Sequence, residues 1–232
     1  MQFNTTGAGN ASYLLNNAAA GNVLDIKNVD FSYEKMGDCS GDATPAGLVR
    51  ATAVNTTNIY NCSFRYNANE RYGTYAYIPL ISCFKTTMNL YNCFLDGGNY
   101  ISAFAIQSLT NANVTNLNLY NTQILNCKYL CSKSTTKDAT SNSNIKFHSG
   151  SVKYIDTLCL EPELTNITKG EHTVFTKTAN GTDSIDVAQL SSPYTFYATC
   201  SHNYENSICK YCFASLPDEK AVPIDVENGA AL

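Results

Sequence analysis

The side chains best equipped for chemistry in this 232-residue chain are its ten cysteines and three histidines. Cys209-Lys210-Tyr211-Cys212 has the two-residue gap by which a turn presents two thiolates to one ion, with His202 a few residues upstream, and Cys127-x-x-x-Cys131 is a second closely spaced pair. Zinc needs four such ligands at one point. The nearest members of the two pairs, Cys131 and Cys209, are 78 residues apart and fall in different repeats of the pattern described below, so these cysteines read as disulfides or plain thiols, with no metal site and no cofactor. A redox role for the C-x-x-C would need a strand-to-helix context, and none is evident around it. Among His148, His172 and His202 no nucleophile, base and orienting partner can be assembled.

Binding chemistry is the more economical reading. Arg65 precedes a loop, Asn67 to Tyr77, that carries Glu70, Arg71, Tyr72, Tyr75 and Tyr77. Rigid aromatic area mixed with Arg recurs at recognition surfaces. Tyrosine faces stack on sugars, and Arg71 would pair with a carboxylate.

These residues must be positioned by a repeated phrase. It reads Ile26-Lys27-Asn28-Val29-Asp30-Phe31, Ile59-Tyr60-Asn61-Cys62-Ser63-Phe64, Leu90-Tyr91-Asn92-Cys93-Phe94-Leu95, Leu119-Tyr120-Asn121-Thr122-Gln123-Ile124 and, more weakly, Phe147-His148-Ser149-Gly150-Ser151-Val152. Its central Asn or Ser recurs after 33, 31, 29 and 28 residues, the range in which repeats stack instead of folding alone. Apolar residues on either side alternate with period two, which places them on one face of a strand and excludes a helix. The alternation slips by one residue at the centre, so the chain must bend there. Asn28, Asn61, Asn92 and Asn121 suit such a corner, because Asn tolerates the left-handed conformation and its amide bonds locally or to its copy in the next coil. A third apolar stretch in each interval, 48–54, 78–84, 101–106, 128–131 and 155–160, gives three strands per turn. Cys62 and Cys93 occupy the same inward position in consecutive coils, where parallel neighbours lie about 4.8 Å apart, so they form either a disulfide or a ladder of buried thiols.

The phrase I/L-x-N-C/x-x-F/I/L resembles that of the right-handed parallel β-helix (pectin-lyase-like) superfamily, whose members include pectate-lyase-like enzymes, phage tailspikes and surface adhesins of bacteria and parasitic protists. Phe64-Arg65-Tyr66-Asn67 also fits the Phe-x-x-Asn of the adhesin and polymorphic membrane-type branch. The resemblance implies an all-β solenoid over residues 23–160. For the lyase branch it implies clustered Asp for calcium with an Arg as base, for which Arg50, Arg65, Arg71, Asp38, Asp42 and Asp96 are the available residues. The Asn-Thr-Asp, Asp-Asp, Gly-His-Gly and Arg-x-Lys strings of the hydrolase branch do not occur. A leucine-rich horseshoe shares the repeat length, but it requires Leu where this chain has Phe, Ile, Cys and Tyr.

Composition narrows the partners. With 15% charged residues and a net charge of −4, there is no basic cluster to favour nucleic acid or an anionic membrane. No run approaches the roughly 18 apolar residues of a spanning helix. Met1 to Gly9 lacks the positive start and apolar run of a secretory signal, so the chain is expected to be either a piece of a longer exported protein or an intracellular one that begins at Met1. Seven Asn-x-Ser/Thr acceptors permit export without requiring it.

The resulting expectation is a cap or incomplete coil at 1–22, the β-helix at 23–160, and irregular coils, a cap or a Cys-containing appendage at 161–232. Its expected function is extracellular or cell-surface adhesion or recognition, with a glycan or a host or cell-surface protein as partner. The alternatives are a polysaccharide lyase or glycoside hydrolase, and a structural spike or stalk.

Overall fold

The computed structural model describes residues 14–33, 47–53, 55–67, 79–107, 115–132, 143–159, 165–179 and 181–216. In chain order the strands are β1 (Leu15–Asn17), β2 (Val23–Lys27), β3 (Asp30–Tyr33), β4 (Val49–Thr52), β5 (Thr56–Tyr60), β6 (Ser63–Tyr66), β7 (Pro79–Phe84), β8 (Thr87–Tyr91) and β9 (Phe94–Asp96). They continue as β10 (Ser102–Gln107), β11 (Asn116–Tyr120), β12 (Thr122–Leu125), β13 (Tyr129–Cys131), β14 (Ser143–Phe147), β15 (Gly150–Ile155), β16 (Thr157–Cys159), β17 (Thr165–Lys169) and β18 (Thr173–Thr176). A 3₁₀ turn at Val187–Gln189, a long strand β19 (Tyr194–Cys200) and the short pair β20 (Tyr204–Glu205) and β21 (Ile208–Cys209) complete the described chain.

Up to β18, every third strand returns to the same sheet. The first sheet runs β1-β4-β7-β10-β13-β16, the second β17-β14-β11-β8-β5-β2, and the third β18-β19-β15-β12-β9-β6-β3. Successive coils pair in parallel, for example β5 with β8 and β8 with β11. The protein is therefore an all-β parallel β-helix with three strands per coil, as the repeat phrase requires.

The bend between second and third sheets is made by one residue per coil. Asn28, Asn61, Asn92 and Asn121 have φ of 56, 52, 52 and 48°, the left-handed region that Asn enters more readily than other side chains. Because the corners lie in register, their amides bond along the axis: Asn61 Nδ2 donates to Asn28 Oδ1 at 3.2 Å, Asn92 to Asn61 at 3.3 Å and Asn121 to Asn92 at 2.9 Å. In the fifth coil Ser149 takes over, its Oγ accepting from the Asn121 backbone N–H at 2.7 Å.

The slip at the corner keeps both flanking strands pointing apolar side chains inward. The second sheet contributes the column Ile26, Ile59, Leu90, Leu119 and Phe147, and the third contributes Phe31, Phe64, Leu95, Ile124 and Val152. Facing them from the first sheet are Val49, Ile81, Phe104, Cys131 and Cys159. All are buried. Like sits on like, and Phe31 stacks on Phe64 with ring centres 4.8 Å apart.

The chain beyond residue 160 adds to this body. β17 pairs in parallel with β14 and extends the second sheet. β19 runs antiparallel to both β15 and β18 and lies between them, so β18, the edge strand of the third sheet, again runs in the direction of β15.

Candidate functional site

The outer face of the second sheet carries three columns of side chains in unbroken register. The first is Val23, Thr56, Thr87, Asn116, Asn144 and Asn166; the second is Asp25, Asn58, Asn89, Asn118, Lys146 and Thr168; the third is Lys27, Tyr60, Tyr91 and Tyr120. Period-two alternation with apolar residues turned inward leaves these positions facing out.

In the middle column Asn58 Nδ2 donates to Asp25 Oδ1 at 2.9 Å, Asn89 to Asn58 at 2.8 Å and Asn118 to Asn89 at 2.9 Å. In the first column Asn144 donates to Asn116 at 3.0 Å and Asn166 to Asn144 at 3.3 Å. A ladder bond uses only one N–H of each donating amide and one lone pair of each accepting oxygen. The remaining donors and acceptors form an array along the axis with the strand spacing of about 4.8 Å. At its end the Asp25 carboxyl is held below its usual range by the Asn58 amide and by Lys27.

Over the far coils the two columns frame a groove of about 510 Å³ lined by Thr87, Asn116, Asn118, Asn144, Lys146, Thr168 and Lys169. Its wall is amide, hydroxyl and ammonium, with no carboxylate.

The third column is a stack. Tyr60 and Tyr91 lie 4.7 Å apart, as do Tyr91 and Tyr120, and His148 continues the stack 4.1 Å from Tyr120. Neighbours cover both faces of Tyr91 and Tyr120, so a ligand meets ring edges and hydroxyls. Burial, then the flanking tyrosines, push the Tyr91 hydroxyl up to about 12, and burial, then Lys146, push His148 down to about 4. Both are neutral near pH 7.

No family model, no curated protein and no solved structure matches the chain. The residues themselves carry the functional reading.

Of the residues expected to bind, Glu70, Arg71, Tyr72, Tyr75 and Tyr77 lie outside the described residues. Arg65 lies on β6 in the third sheet, its guanidinium 4.3 Å from the centre of the Phe94 ring. Of the residues considered for glycan cleavage, Asp38, Asp42 and Arg71 are also outside the described residues, and Arg50 lies on β4 of the first sheet. Asp96 is engaged structurally, accepting from the Gly98 backbone N–H at 3.0 Å and from Asn126 Nδ2 at 3.3 Å.

Cys62 and Cys93 are free, buried thiols that bond to main-chain carbonyls, Cys62 to Tyr60 at 3.2 Å and Cys93 to Tyr91 at 3.4 Å. Thr122 takes the equivalent place in the next coil, its hydroxyl donating to the Tyr120 carbonyl at 3.3 Å. Two of the described glycosylation acceptors are engaged in the fold. Asn55 is buried, with Nδ2 donating to the Thr52 and Asn17 carbonyls at 2.6 and 2.7 Å, and Asn61 is a corner of the amide ladder. Asn166, on β17, is exposed.

A larger hollow of about 850 Å³ opens at the last coil, walled by Leu158, Ile167, Phe175, Ile185, Val187 and Tyr194 with Lys169 and Asp186 at its margin. It is the open end of the apolar core and brings no set of polar groups together.

Among the described residues one group of side chains could hold a metal ion: Cys200, His202, Cys209 and Cys212, whose ligand atoms lie within 4.8 Å of one another. Cys212 Sγ is 3.3 Å from His202 Nδ1, and the Tyr211 backbone N–H donates to Cys209 Sγ at 3.4 Å. Burial opposes ionisation of Cys209, but the Tyr211 and Asn203 amides and His202 outweigh it and bring this thiol down to about 6. Burial pushes Cys200 and Cys212 up. Sequence reasoning weighed the C-x-x-C against the distant Cys127 and Cys131, which are buried in the solenoid core, and assigned no metal. The overlooked signal was Cys200 at the end of β19, which makes the full spacing C-x-H-x₆-C-x₂-C.

Proposed function

We propose that the chain is a non-catalytic recognition module that lays a carboxylate-bearing glycan along the outer face of its second sheet. The groove framed by Asn116, Asn118, Asn144 and Lys146 carries this reading, because its wall offers hydrogen bonds suited to sugar hydroxyls and cations suited to an acid group. The spare amide valences repeat along one axis, which favours an extended polymer over a compact ligand. The acid–base pair of a glycosidase has no counterpart in the groove, whose walls hold no carboxylate.

Display on a cell surface is part of this proposal, and the thiols are compatible with it. All nine described cysteines are buried. In the solenoid core desolvation pushes Cys93 up to about 12 and also raises Cys83 and Cys127, which suppresses the thiolate that oxidation requires, whereas Cys209 in the C-terminal hairpin is brought down to about 6.

Calorimetric titration with uronate-containing and neutral oligosaccharides tests the reading. Acidic chains are expected to bind, and Asn118→Ala with Lys146→Ala to weaken that binding roughly 10- to 100-fold with the fold intact, as loss of two charged or polar contacts implies. Equal binding by the double variant would remove the groove from consideration. Shortening of the polymer over time would overturn the non-catalytic assignment.

A further inference from the structure

The last described segment, residues 201–216, has a core of only three cysteines, with the half-buried Tyr204, Tyr211 and Ala214 packed against it. Its apolar side chains Ile208, Phe213 and Leu216 are 49, 44 and 50% exposed, and its buried residues are Cys209 and Cys212, which cluster with Cys200. β20 and β21 have two residues each, far too short to hold together alone. Asn206, Ser207 and Phe213 have φ of 50, 64 and 60°, a costly conformation for residues without the freedom of glycine. A strained hairpin with sulfur for a core needs a staple.

Four ligands converge at that core. Tetrahedral bonds of about 2.3 Å to sulfur and 2.0–2.1 Å to nitrogen place a sulfur and a nitrogen about 3.6 Å apart and two sulfurs about 3.8 Å apart. The 3.3 Å separation of Cys212 Sγ and His202 Nδ1 is within a few tenths of an ångström of this, and the spread of the whole set, within 4.8 Å, closes to it by a contraction of about 1 Å. One of the four ligands, Cys200, ends a seven-residue strand that pairs with β15 and β18, so it is held in place by the solenoid. Three thiols leave one unpaired in any disulfide, whereas three thiolates and an imidazole complete a closed coordination shell with no open position, which suits a structural zinc ion.

We propose that Cys200, His202, Cys209 and Cys212 bind one zinc ion that serves as the core of the C-terminal hairpin and clips it to the solenoid. The ion displaces to solvent the protons of those thiols that are still protonated. The clip has two hold points. Tyr211 stacks on His172, ring centres 3.6 Å apart, in the turn between β17 and β18. Phe213 meets Tyr91 and Tyr120 edge-on at 5.2 and 5.3 Å, sealing the flank of the tyrosine stack. This inference does not depend on the glycan reading.

The test uses the full chain, purified under reducing conditions and titrated with Zn²⁺ against a chromophoric chelator and with Co²⁺ by absorption spectroscopy. One ion per chain is expected, with a thiolate-to-cobalt charge-transfer band and the intense visible bands of a tetrahedral site. Cys209→Ser should abolish both. His202 is exposed, so His202→Ala leaves the fold in place and should weaken zinc binding roughly 100-fold, about one ligand's share of a structural site's affinity. His202→Cys should restore tight binding with a four-thiolate spectrum. Withdrawing the metal should speed hydrogen exchange in 203–216 and leave β5, β8 and β11 protected. Zinc binding weaker than micromolar, a weak octahedral cobalt spectrum, or a chain lighter by two hydrogens with a disulfide among Cys200, Cys209 and Cys212 would each overturn the proposal.

Discussion

Replacing Asn92 with valine isolates the contribution of the corner, and the structure supplies its own control. Asn92 has φ of 52°, donates to Asn61 at 3.3 Å and accepts from Asn121 at 2.9 Å. Valine forfeits both bonds and places a β-branched side chain in the left-handed region. The strain costs about 1–2 kcal/mol, and the two solvent-exposed amide bonds together contribute about 1 kcal/mol, so a loss of about 2–3 kcal/mol is expected. Asn58 makes an equivalent pair of ladder bonds, 2.9 Å to Asp25 and 2.8 Å from Asn89, but lies within β5. Asn58→Val therefore loses the same bonds without the strain, and the strand preference of valine offsets part of the loss, leaving about 0–1 kcal/mol. The chain has no tryptophan, so urea unfolding is followed by circular dichroism and the midpoints are compared at a common slope. If Asn92→Val is no more destabilising than Asn58→Val, the corner is not held by its left-handed residue and the account of the coil is wrong.

Two further perturbations probe the same body. Gly150 has φ of 129° and stacks on Thr122 at the start of β15, where an added Cβ would collide with the Thr122 backbone; Gly150→Ala should cost about 3 kcal/mol or more, and a melting temperature equal to the parent's would contradict the observed packing. His148 is pushed down to about 4 from its usual 6.5 by burial and then Lys146, so between those values the unfolded chain binds more protons. Stability should then rise with pH across that window and fall on acidification through it, fully present above the unfolded value. His148→Phe keeps a ring on Tyr120 and removes the proton; melting curves recorded from pH 7 to 4.5 should diverge, with the parent losing more, and parallel curves would exclude His148 as the cause.

What could be read in the sequence was what one residue decides locally. The corner asparagines and the alternation on either side specify backbone conformation and facing within a few residues, so the strands, the coil and the inward columns of Ile59 and Phe64 followed from spacing alone. The apolar stretches at 78–84 and 101–106 likewise lie over β7 and β10. Two features depended on partners remote in the chain. Tyr194 to Thr199 alternates like any strand, and nothing local shows that it would run backwards between β15 and β18. Cys200 ends that strand, and only the fold shows that it lies beside His202, Cys209 and Cys212. The polar groove was missed for the opposite reason. Asn118 and Lys146 are ordinary outward residues in isolation, and their significance comes from stacking in register across coils.

The end of the solenoid shows how a repeating fold is stopped. Parallel coils propagate as long as each new strand meets an open edge, and an uncovered edge recruits other chains. In the third sheet the reversed strand β19 takes the place beside β15 that a further parallel coil would fill, and β18 pairs on its far side as the edge. In the second sheet, β17 is the last strand, and at the position that Phe147 fills in β14 it carries Lys169, which is exposed. A lysine in an inward column disfavours another coil stacking there, because the incoming core would have to bury its ammonium. The C-terminal hairpin contributes to neither sheet and instead turns back along the flank, where Phe213 rests against Tyr91 and Tyr120. The succession of parallel coils is thus interrupted by a reversed strand in the third sheet and capped by a charge in the second. The outer amide face plays no part in the reversal, and the glycan proposed for it would lie clear of β19.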